Sequence, residues 1–322
     1  MFDGHSSETV QNLMGQVKVA SKAPLSEQEK QLRINMYEEA KKTHYINGLP
    51  TYFDAREAWP KCSSIGEIRD QSQCGSCWAV SSASVMSDRA CIQSGGDKQY
   101  RVSAEDLMTC CPECSESKDP ADKGGCFGGD HAKAFEHWVL HGIVTGDGYG
   151  DKNSCRAYKF PPCFHHEEAP GLPWCMKLLE TIPNHDGFFN TPTCKRTCQE
   201  SYGKKYYEDK RFGVAWYSLY SEREMAEDIM ANGPINVSIE LFEDFFTYRS
   251  GIYYKTPMSG MSHGFHAVRC IGFGTKDGVD YWIITNSWNQ AWGDNGLFYL
   301  RRGTNEISVA EQPGAAIPDI NS

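Results

Sequence analysis

The sequence predicts an α+β fold with a helical, disulfide-rich first half and a β-rich second half. The chain has 14 cysteines at irregular intervals, most of them in the first half. Residues 76–93 lack glycine and proline and are followed by Gly95-Gly96, which is typical of a helix with a glycine stop. From residue 231 onward, apolar residues alternate or form short runs, as they do in β-strands.

Composition excludes several classes of protein. Apolar residues make up 40% of the 322 residues, which is enough for packed cores and too many for a disordered chain. This length suggests about two domains. The net charge of −10 argues against nucleic acid as the main partner. No run of about 18 apolar residues occurs, so the sequence predicts no transmembrane helix.

The cysteine spacing favours disulfides over zinc. Cys74 and Cys77 form a C-x-x-C pair, as do Cys111 and Cys114, but no pair of histidines follows at zinc-finger distance. A disulfide framework indicates an oxidising compartment, with zinc as the lesser alternative. Residues 1–10 lack the apolar segment of a signal peptide, so we expect the sequence to begin inside a longer precursor.

Residues 1–48 contain no cysteine or tryptophan, unlike the rest of the chain. A helix is predicted from Ser26, as its N-cap, to about Thr43, since Glu29 follows at the third helical position. Its apolar residues recur every four positions, which predicts one narrow stripe. Such a stripe suits an amphipathic segment lying on another surface, although a solvated tail has the same pattern. The apolar positions are Leu32, Met36 and Ala40.

The second half is predicted to form strands at residues 234–239, 266–273, 281–285 and 297–300. Asp277-Gly278 lies between the second and third of these, which is a strong hairpin signal. Residues 110–200 are loop-rich, and only residues 132–140 are predicted to be helical. Asn236-Val237-Ser238 fits the glycosylation pattern but falls inside a predicted strand, so its modification stays open.

The strongest chemical signal is the run Cys-Gly-Ser-Cys-Trp at residues 74–78. Cys77 lies at the start of the predicted helix, where the positive end of the helix dipole stabilises a thiolate. The alternative is that Cys77 is one more bridged cysteine. The five-residue run matches the signature of a nucleophilic cysteine of the papain type.

A nucleophilic cysteine needs a base, and His266 with Asn286 fits that need. The midpoint of the two residues falls at Lys276, inside the predicted turn. In a regular hairpin they would lie opposite each other with Cβ atoms about 5 Å apart. Asn286 would then orient the imidazole and leave its other nitrogen facing Cys77.

With these residues the chain resembles the papain-like cysteine proteases, and within them the cathepsin B subfamily. The resemblance covers residues 49–322 and includes Asn286-Ser287-Trp288 and the strip Gly128-Gly129, which binds substrate backbone in the family. It implies a papain-like two-lobe fold with an active-site cleft between the lobes. The mainly helical lobe would span residues 49–200, and the mainly β, barrel-like lobe residues 201–322. Residues 1–48 would be part of an inhibitory pro-segment, released by cleavage after Gly48.

An insertion carries the resemblance to the subfamily. His266 and Asn286 follow Cys77 by 189 and 209 residues, against about 130–150 in the papain pattern. The extra residues fit the cysteine-rich region, where about 155–198 resembles the family's occluding loop. The loop's His165 and His166 would hold a substrate's C-terminal carboxylate, although taken alone they fit a weak metal site or a solvated pair.

The resemblance also implies the chemistry. Cys77 would attack the peptide carbonyl and form a thioester, His266 would transfer the protons, and the Gln71 side chain with the Cys77 N–H would hold the oxyanion. No cofactor or metal is implied. Two cysteines, Cys77 and Cys270, would stay free. The implied bridges are Cys62–Cys91, Cys74–Cys126, Cys110–Cys194, Cys111–Cys114, Cys155–Cys198 and Cys163–Cys175.

The partners implied are protein and peptide substrates, the chain's own pro-segment and cystatin-type inhibitors. We expect a lysosomal or secreted monomer without nucleic acid. Two other functions were weighed. One is a catalytically inactive disulfide-rich binding protein of the same fold, which the presence of the whole catalytic set disfavours. The other is a thiol–disulfide oxidoreductase, which would pair Cys74 with Cys77.

Three departures from the family pattern lead to specific expectations. Phe265 replaces a glycine before the histidine and should reshape the wall of the specificity pocket. Ala310 stands where the subfamily often has a glutamate, so we expect apolar rather than basic P2 residues. Ala291 replaces an aspartate that pairs with a loop arginine absent here, which leaves His165 with Asp70 as the loop's ion pair. A looser loop would favour endopeptidase over dipeptidyl-carboxypeptidase activity.

Overall fold

The computed structural model describes residues 15–16, 35, 49–115, 125–165, 168–180, 187 and 189–321. The helix predicted between Ser26 and Thr43 lies outside them, except for Asn35, which is helical. His166 also lies outside the described residues. Within this part of the chain no helix is long and apolar enough to cross a membrane.

Six α-helices are described, and the second is the centre of the helical half. Its residues from Cys77 to Cys91 are all buried, so it has no solvent-exposed face to create an amphipathic pattern. Gly95 and Gly96, with φ of 66° and 100°, follow its end as the sequence predicts. The helices are α1 (Ala55–Ala58), α2 (Cys77–Gln93), α3 (Ala104–Cys110), α4 (His131–His141), α5 (Cys175–Leu179) and α6 (Glu222–Asn232).

The strands form one sheet, in the order β3-β9-β4-β6-β7-β8-β5, with β1 and β2 also pairing with β6. The expected barrel-like lobe is therefore wrong: the sheet is open, because β3 and β5 end it without pairing with each other in the described residues. Helix α4 packs on the β3 edge instead, with Trp138 against Gly213. The strands are β1 (Gly15–Gln16), β2 (Phe53–Asp54), β3 (Gly213–Ser218), β4 (Ile235–Phe242), β5 (Ile252–Tyr253), β6 (Ser262–Lys276), β7 (Val279–Thr285), β8 (Leu297–Arg301) and β9 (Gly314–Pro318).

The β6–β7 hairpin forms at the predicted turn but in a different register. Asp277 and Gly278 both have positive φ, 52° and 78°, as a type I′ turn requires. The turn pairs Lys276 with Val279, so the hairpin is centred between residues 277 and 278 rather than at Lys276. A bulge between Cys270 and Gly272 shifts the pairing by one residue, and β7 ends at Thr285. The expected opposition of His266 and Asn286 is therefore wrong, and His266 pairs with Ile239 of β4.

Six disulfides are formed, and five of them involve the loop-rich region at residues 110–200. Two of them, Cys110–Cys194 and Cys155–Cys198, connect its end to helix α3 and to the loop after Gly150. Cross-links of this kind replace the apolar core that loops cannot build. The structure joins the same six pairs that the resemblance implies, and Cys77 and Cys270 are free and buried. The other four are Cys62–Cys91, Cys74–Cys126, Cys111–Cys114 and Cys163–Cys175.

Two buried ion pairs join helix α2 to the β-rich half. Asp88 on α2 accepts from Nη1 of Arg269 on β6 at 2.7 Å. The next residue, Arg89, donates to Asp228 of α6 at 2.5 Å. All four side chains are nearly or fully buried, so each charge depends on its partner and on nearby polar groups for solvation.

Asn236 is fully buried in β4, where its Nδ2 donates to Ser81 Oγ at 2.8 Å and to Ser82 Oγ at 3.2 Å. A glycan cannot be attached at this position without breaking those contacts. The folded chain therefore excludes modification of this sequence motif.

Candidate active site

Helix α2 begins at Cys77, with Ser76 as its N-cap. The segment leading to it is held by the Cys74–Cys126 disulfide and by the Gly75 N–H, which donates to Cys126 O at 2.8 Å. The Ser76 hydroxyl lies 2.6 Å from the Tyr158 hydroxyl. These contacts hold the Cys77 sulfur at the positive end of a 17-residue buried helix.

Strand β6 brings His266 to that sulfur. The N–H of Ala267, the next residue, donates to Cys77 Sγ at 3.4 Å. On the other side of the ring, His266 Nε2 lies 2.8 Å from Asn286 Oδ1. His266 Nδ1 is buried and has no hydrogen-bond partner in the part of the chain that the structure describes. The backbone beside His266 thus contacts the Cys77 sulfur, while the His266 ring is bound to Asn286 through Nε2.

Trp288 covers this hydrogen bond. Its ring is fully buried and stacks on His266, with 5.0 Å between ring centroids and 28° between planes. The Asn286 carbonyl oxygen also accepts from the Ser287 N–H at 2.8 Å, which sets the orientation of the amide. Because this buried amide oxygen accepts two hydrogen bonds, it holds the imidazole plane in one position.

Gln71 is positioned by contacts at both ends. Its Oε1 accepts from Ser287 Oγ at 2.6 Å, and its Nε2 donates to Cys74 O at 2.8 Å. Its backbone N–H donates to Ser287 O at 2.9 Å. The amide N–H₂ therefore faces the Cys74–Cys77 segment, where an oxyanion donor is needed.

The site is closed in this structure. Strand β1 pairs with β6 so that Gly15 and Gln16 face His266 and Phe265. Burial raises the pKa of Cys77 to about 12, although backbone N–H groups that donate to the sulfur oppose the shift. Burial also lowers the pKa of His266 to about 4, against the hydrogen bond with Asn286. Between pH 5 and 8 both groups are therefore neutral in this state.

The glycine strip packs directly beside the catalytic segment. Gly128 has φ of 107°, a conformation that disfavours side chains. A Cβ on Gly129 would lie 2.5 Å from the Trp78 ring, so no larger residue fits without movement. The strip therefore presents backbone rather than side chains.

The residues expected to shape the specificity pocket lie on separate elements. Phe265 is half-buried in β6, opposite Glu240 of β4. Ala310 is half-buried in the turn after residues 306–308 and packs against the core of the sheet. Its N–H donates to Asn305 Oδ1 at 2.8 Å.

The loop histidine reaches the same tryptophan as His266. The His165 side chain is buried, its ring stacks on Trp288 at 5.8 Å, and its Nε2 lies 3.5 Å from Asp70 Oδ1. The other Asp70 oxygen accepts from the Cys163 N–H at 3.0 Å and from Asn289 Nδ2 at 3.1 Å. Asn289 Nδ2 also donates to Cys163 O at 2.6 Å. Sequence reasoning missed Asn289, whose only signal is its position next to Trp288.

Comparison with known proteins agrees with this geometry. The family described as "Papain family cysteine protease" matches residues 49–317. The chain is 42% identical to cathepsin B-like cysteine proteinase 6 of Caenorhabditis elegans, over 85% of this chain and 68% of that protein. It is 41% identical to a cathepsin B-like cysteine proteinase of Schistosoma japonicum, over 81% of this chain and 71% of that one.

Solved structures of proenzymes are similar over nearly the whole chain. Procathepsin B S9 from Trypanosoma congolense is 31% identical with a TM-score of 0.73, covering 99% of this chain and 92% of its own. Procathepsin L 3 of Tenebrio molitor, at 19% identity and a TM-score of 0.61, shares the fold, covering 97% of this chain and 79% of its own.

Proposed function

Because the chain belongs to the papain family of cysteine proteases and is cathepsin B-like, we propose that it hydrolyses peptide bonds through Cys77, His266 and Asn286. The observation that carries this proposal is that His266 Nε2 binds Asn286 Oδ1 while the N–H of the next residue, Ala267, donates to the Cys77 sulfur at the start of α2. The residues that a catalytically inactive relative would lack are all in place. Cys74 is bonded to Cys126, which removes the dithiol that an oxidoreductase would use.

The proposed reaction is acyl transfer in two steps. His266 Nδ1 takes the Cys77 proton, and the thiolate attacks the peptide carbonyl to form a tetrahedral oxyanion. The Cys77 N–H and Gln71 Nε2 donate to that oxygen. When the C–N bond breaks, His266 protonates the leaving amine and a thioester remains. Water then attacks the thioester while His266 accepts its proton, and Cys77 is released with the acid product.

Residues 1–48 are proposed to act as the pro-segment, and the structure is zymogen-like. The pairing of Gly15 and Gln16 with β6 supports this role, because it lies along the strand of the catalytic histidine. Cleavage after Gly48 would release the segment. We further propose a monomer in a lysosomal or secreted setting, inhibited by cystatin-type proteins. The six disulfides support an oxidising compartment.

Removal of the pro-segment is expected to activate the thiol. Burial holds Cys77 near pKa 12 and His266 near pKa 4, so the zymogen has almost no thiolate between pH 5 and 8. Exposure to water relieves both shifts and permits a thiolate–imidazolium pair. Epoxide labelling of Cys77, followed by peptide mapping, should be at least about 100-fold faster in the processed enzyme. Cys270, buried with a pKa near 12, is the internal control and should stay unlabelled. Equal labelling rates in both forms would contradict this account.

The P2 preference is expected to be apolar. An arginine at P2 would lose water without gaining a carboxylate at Ala310, so Phe-Arg substrates should be cleaved at least about tenfold better than Arg-Arg substrates. Ala310→Glu should reduce that ratio. The matched variant Glu311→Gln should leave it unchanged. If the parent cleaves Arg-Arg equally well and Glu311→Gln abolishes that cleavage, the pocket residue is Glu311 instead.

Residues 155–198 are proposed to include an occluding loop whose closure supports dipeptide removal, with endopeptidase activity dominant. Asn289→Gly removes the amide that bonds Asp70 and Cys163 without straining a backbone with φ of 57°. We expect the ratio of internal cleavage to dipeptide removal at pH 5 to rise several-fold. Asn295→Gly is the matched control, with φ of 54° and an exposed amide bonded to its neighbour Asp294. The proposal of a loose loop would be refuted if dipeptide removal dominates in the parent enzyme at pH 5 and does not decrease when salt is added.

A further inference from the structure

The C-terminal part of helix α4 carries two histidines on one face, away from the catalytic residues. His137 and His141 are four residues apart, and their ring centroids are 4.8 Å apart. The His137 side chain is 7% exposed and that of His141 is 58% exposed. The protease chemistry uses neither residue.

Glu113 faces both rings from a neighbouring short 3₁₀ helix, Pro112–Cys114. Its Oε1 lies 2.5 Å from His137 Nδ1 and 3.8 Å from His141 Nε2. Two imidazole nitrogens therefore point at one carboxylate oxygen. Cys111 is close by, but its sulfur is bonded to Cys114 and is no thiolate ligand.

The two separations around Glu113 Oε1 bracket the ligand spacing of a tetrahedral zinc ion. With Zn–N and Zn–O bonds of about 2.0–2.1 Å, two ligand atoms on a tetrahedral ion lie about 3.3 Å apart. The observed separations of 2.5 and 3.8 Å lie on either side of that value. Glu113 and His141 are both partly exposed, so rotation of their side chains can bring the three ligand atoms to one ion. Imidazole and carboxylate ligands suit Zn²⁺, and water can complete the coordination.

The platform under this cluster is rigid. The Cys111–Cys114 disulfide closes the turn that carries Glu113, and the Asp130 N–H donates to Cys114 O at 2.9 Å just before α4 begins. A site held on a helix and a cross-linked turn loses little conformational freedom when a metal binds.

We propose that Glu113, His137 and His141 form a surface Zn²⁺ site that clamps the end of α4 to the 112–114 turn. Binding would displace the proton shared by His137 and Glu113 and would stabilise the folded chain by mass action. The proposal is independent of the peptidase reaction.

The test is zinc titration calorimetry on the full chain with Cys77→Ser in every sample, so that the catalytic thiol binds no metal. The parent should show a binding phase whose zinc affinity falls at least about tenfold in His141→Gln. Loss of a residue that only hydrogen-bonds a metal ligand already costs about that much affinity, and loss of the ligand itself should cost no less. Glu136→Gln is the matched control, because it removes a carboxylate of α4 that pairs with Lys133 outside the cluster. It should leave that phase unchanged.

Thermal unfolding provides a second measurement. Zn²⁺ should raise Tm in the parent and in Glu136→Gln but not in His141→Gln, whose exposed side chain can change without loss of the fold. The proposal is overturned if His141→Gln binds zinc as tightly as the parent. It is also overturned if Glu136→Gln weakens the same phase to the same extent.

Discussion

Cys77→Ala is expected to lower kcat/KM of the processed enzyme by at least about 10⁴-fold, because no other group can form the thioester. The variant cannot process itself, so an added protease should remove the pro-segment before the assay. Hydrolysis of a fluorogenic Phe-Arg substrate at pH 5 measures the loss.

Cys270→Ala is the matched control for this loss. Cys270 is the other free cysteine and is also fully buried, but it lies within β6 with its Sγ 3.7 Å from Gly272 O. Removing one sulfur there costs little packing and should change activity less than about twofold. Activity that survives in Cys77→Ala and disappears in Cys270→Ala would refute the assignment of the nucleophile.

Arg269→Met is expected to lower the free energy of unfolding by about 3–5 kcal/mol, since it leaves Asp88 buried without its partner. The guanidinium also donates to three carbonyls, at 3.0 Å to Ser64 O, 3.2 Å to Ile65 O and 2.7 Å to Glu67 O. In the variant, these three carbonyl oxygens would lose the hydrogen bonds that the guanidinium donates. Urea unfolding of the full chain with its disulfides intact measures the change.

Lys133→Met is the control for the arginine substitution. Its side chain is 48% exposed and pairs at 2.6 Å on one helix with Glu136, which is 36% exposed, so the loss should stay within about 0.5 kcal/mol. Adding Asp88→Asn to Arg269→Met should cost less than the sum of the two single changes, because it removes the unpaired charge. Equal losses in Arg269→Met and Lys133→Met would show that the buried pair is not a major stabilising contact.

The local signals in the sequence were sufficient for several elements. Helix α2 begins at Cys77 and is followed by Gly95-Gly96. Its bounds were predictable because a run without glycine or proline favours a helix and glycine ends one, and both effects depend only on nearby residues. The Asp277-Gly278 turn was predictable since both residues tolerate positive φ. The resemblance to the papain-like family, carried by short motifs, is confirmed by the family match over residues 49–317.

Register was not predictable in the same way. The midpoint argument placed His266 opposite Asn286 by centring the hairpin at Lys276, but the turn pairs Lys276 with Val279 and so centres the hairpin between residues 277 and 278. A one-residue bulge between Cys270 and Gly272 then shifts the pairing again. The two side chains still meet, because Asn286 lies beyond the end of β7 and its amide reaches Nε2 from there. A bulge is set by packing across the sheet, and no local residue pattern announces it.

The sequence by itself determined the papain-like family and the residues on which the proposed chemistry rests: a cysteine at a helix start, a histidine, an asparagine and the thiols that pair around them. Only the tertiary structure decided the open sheet, the anchoring of the loop by Asp70 and Asn289, the buried Asp88–Arg269 pair and the meeting of Glu113 with His137 and His141. The physical reason is range. Helix caps, turns and motifs depend on neighbours along the chain, whereas these contacts join residues from separate elements and form only when those elements pack.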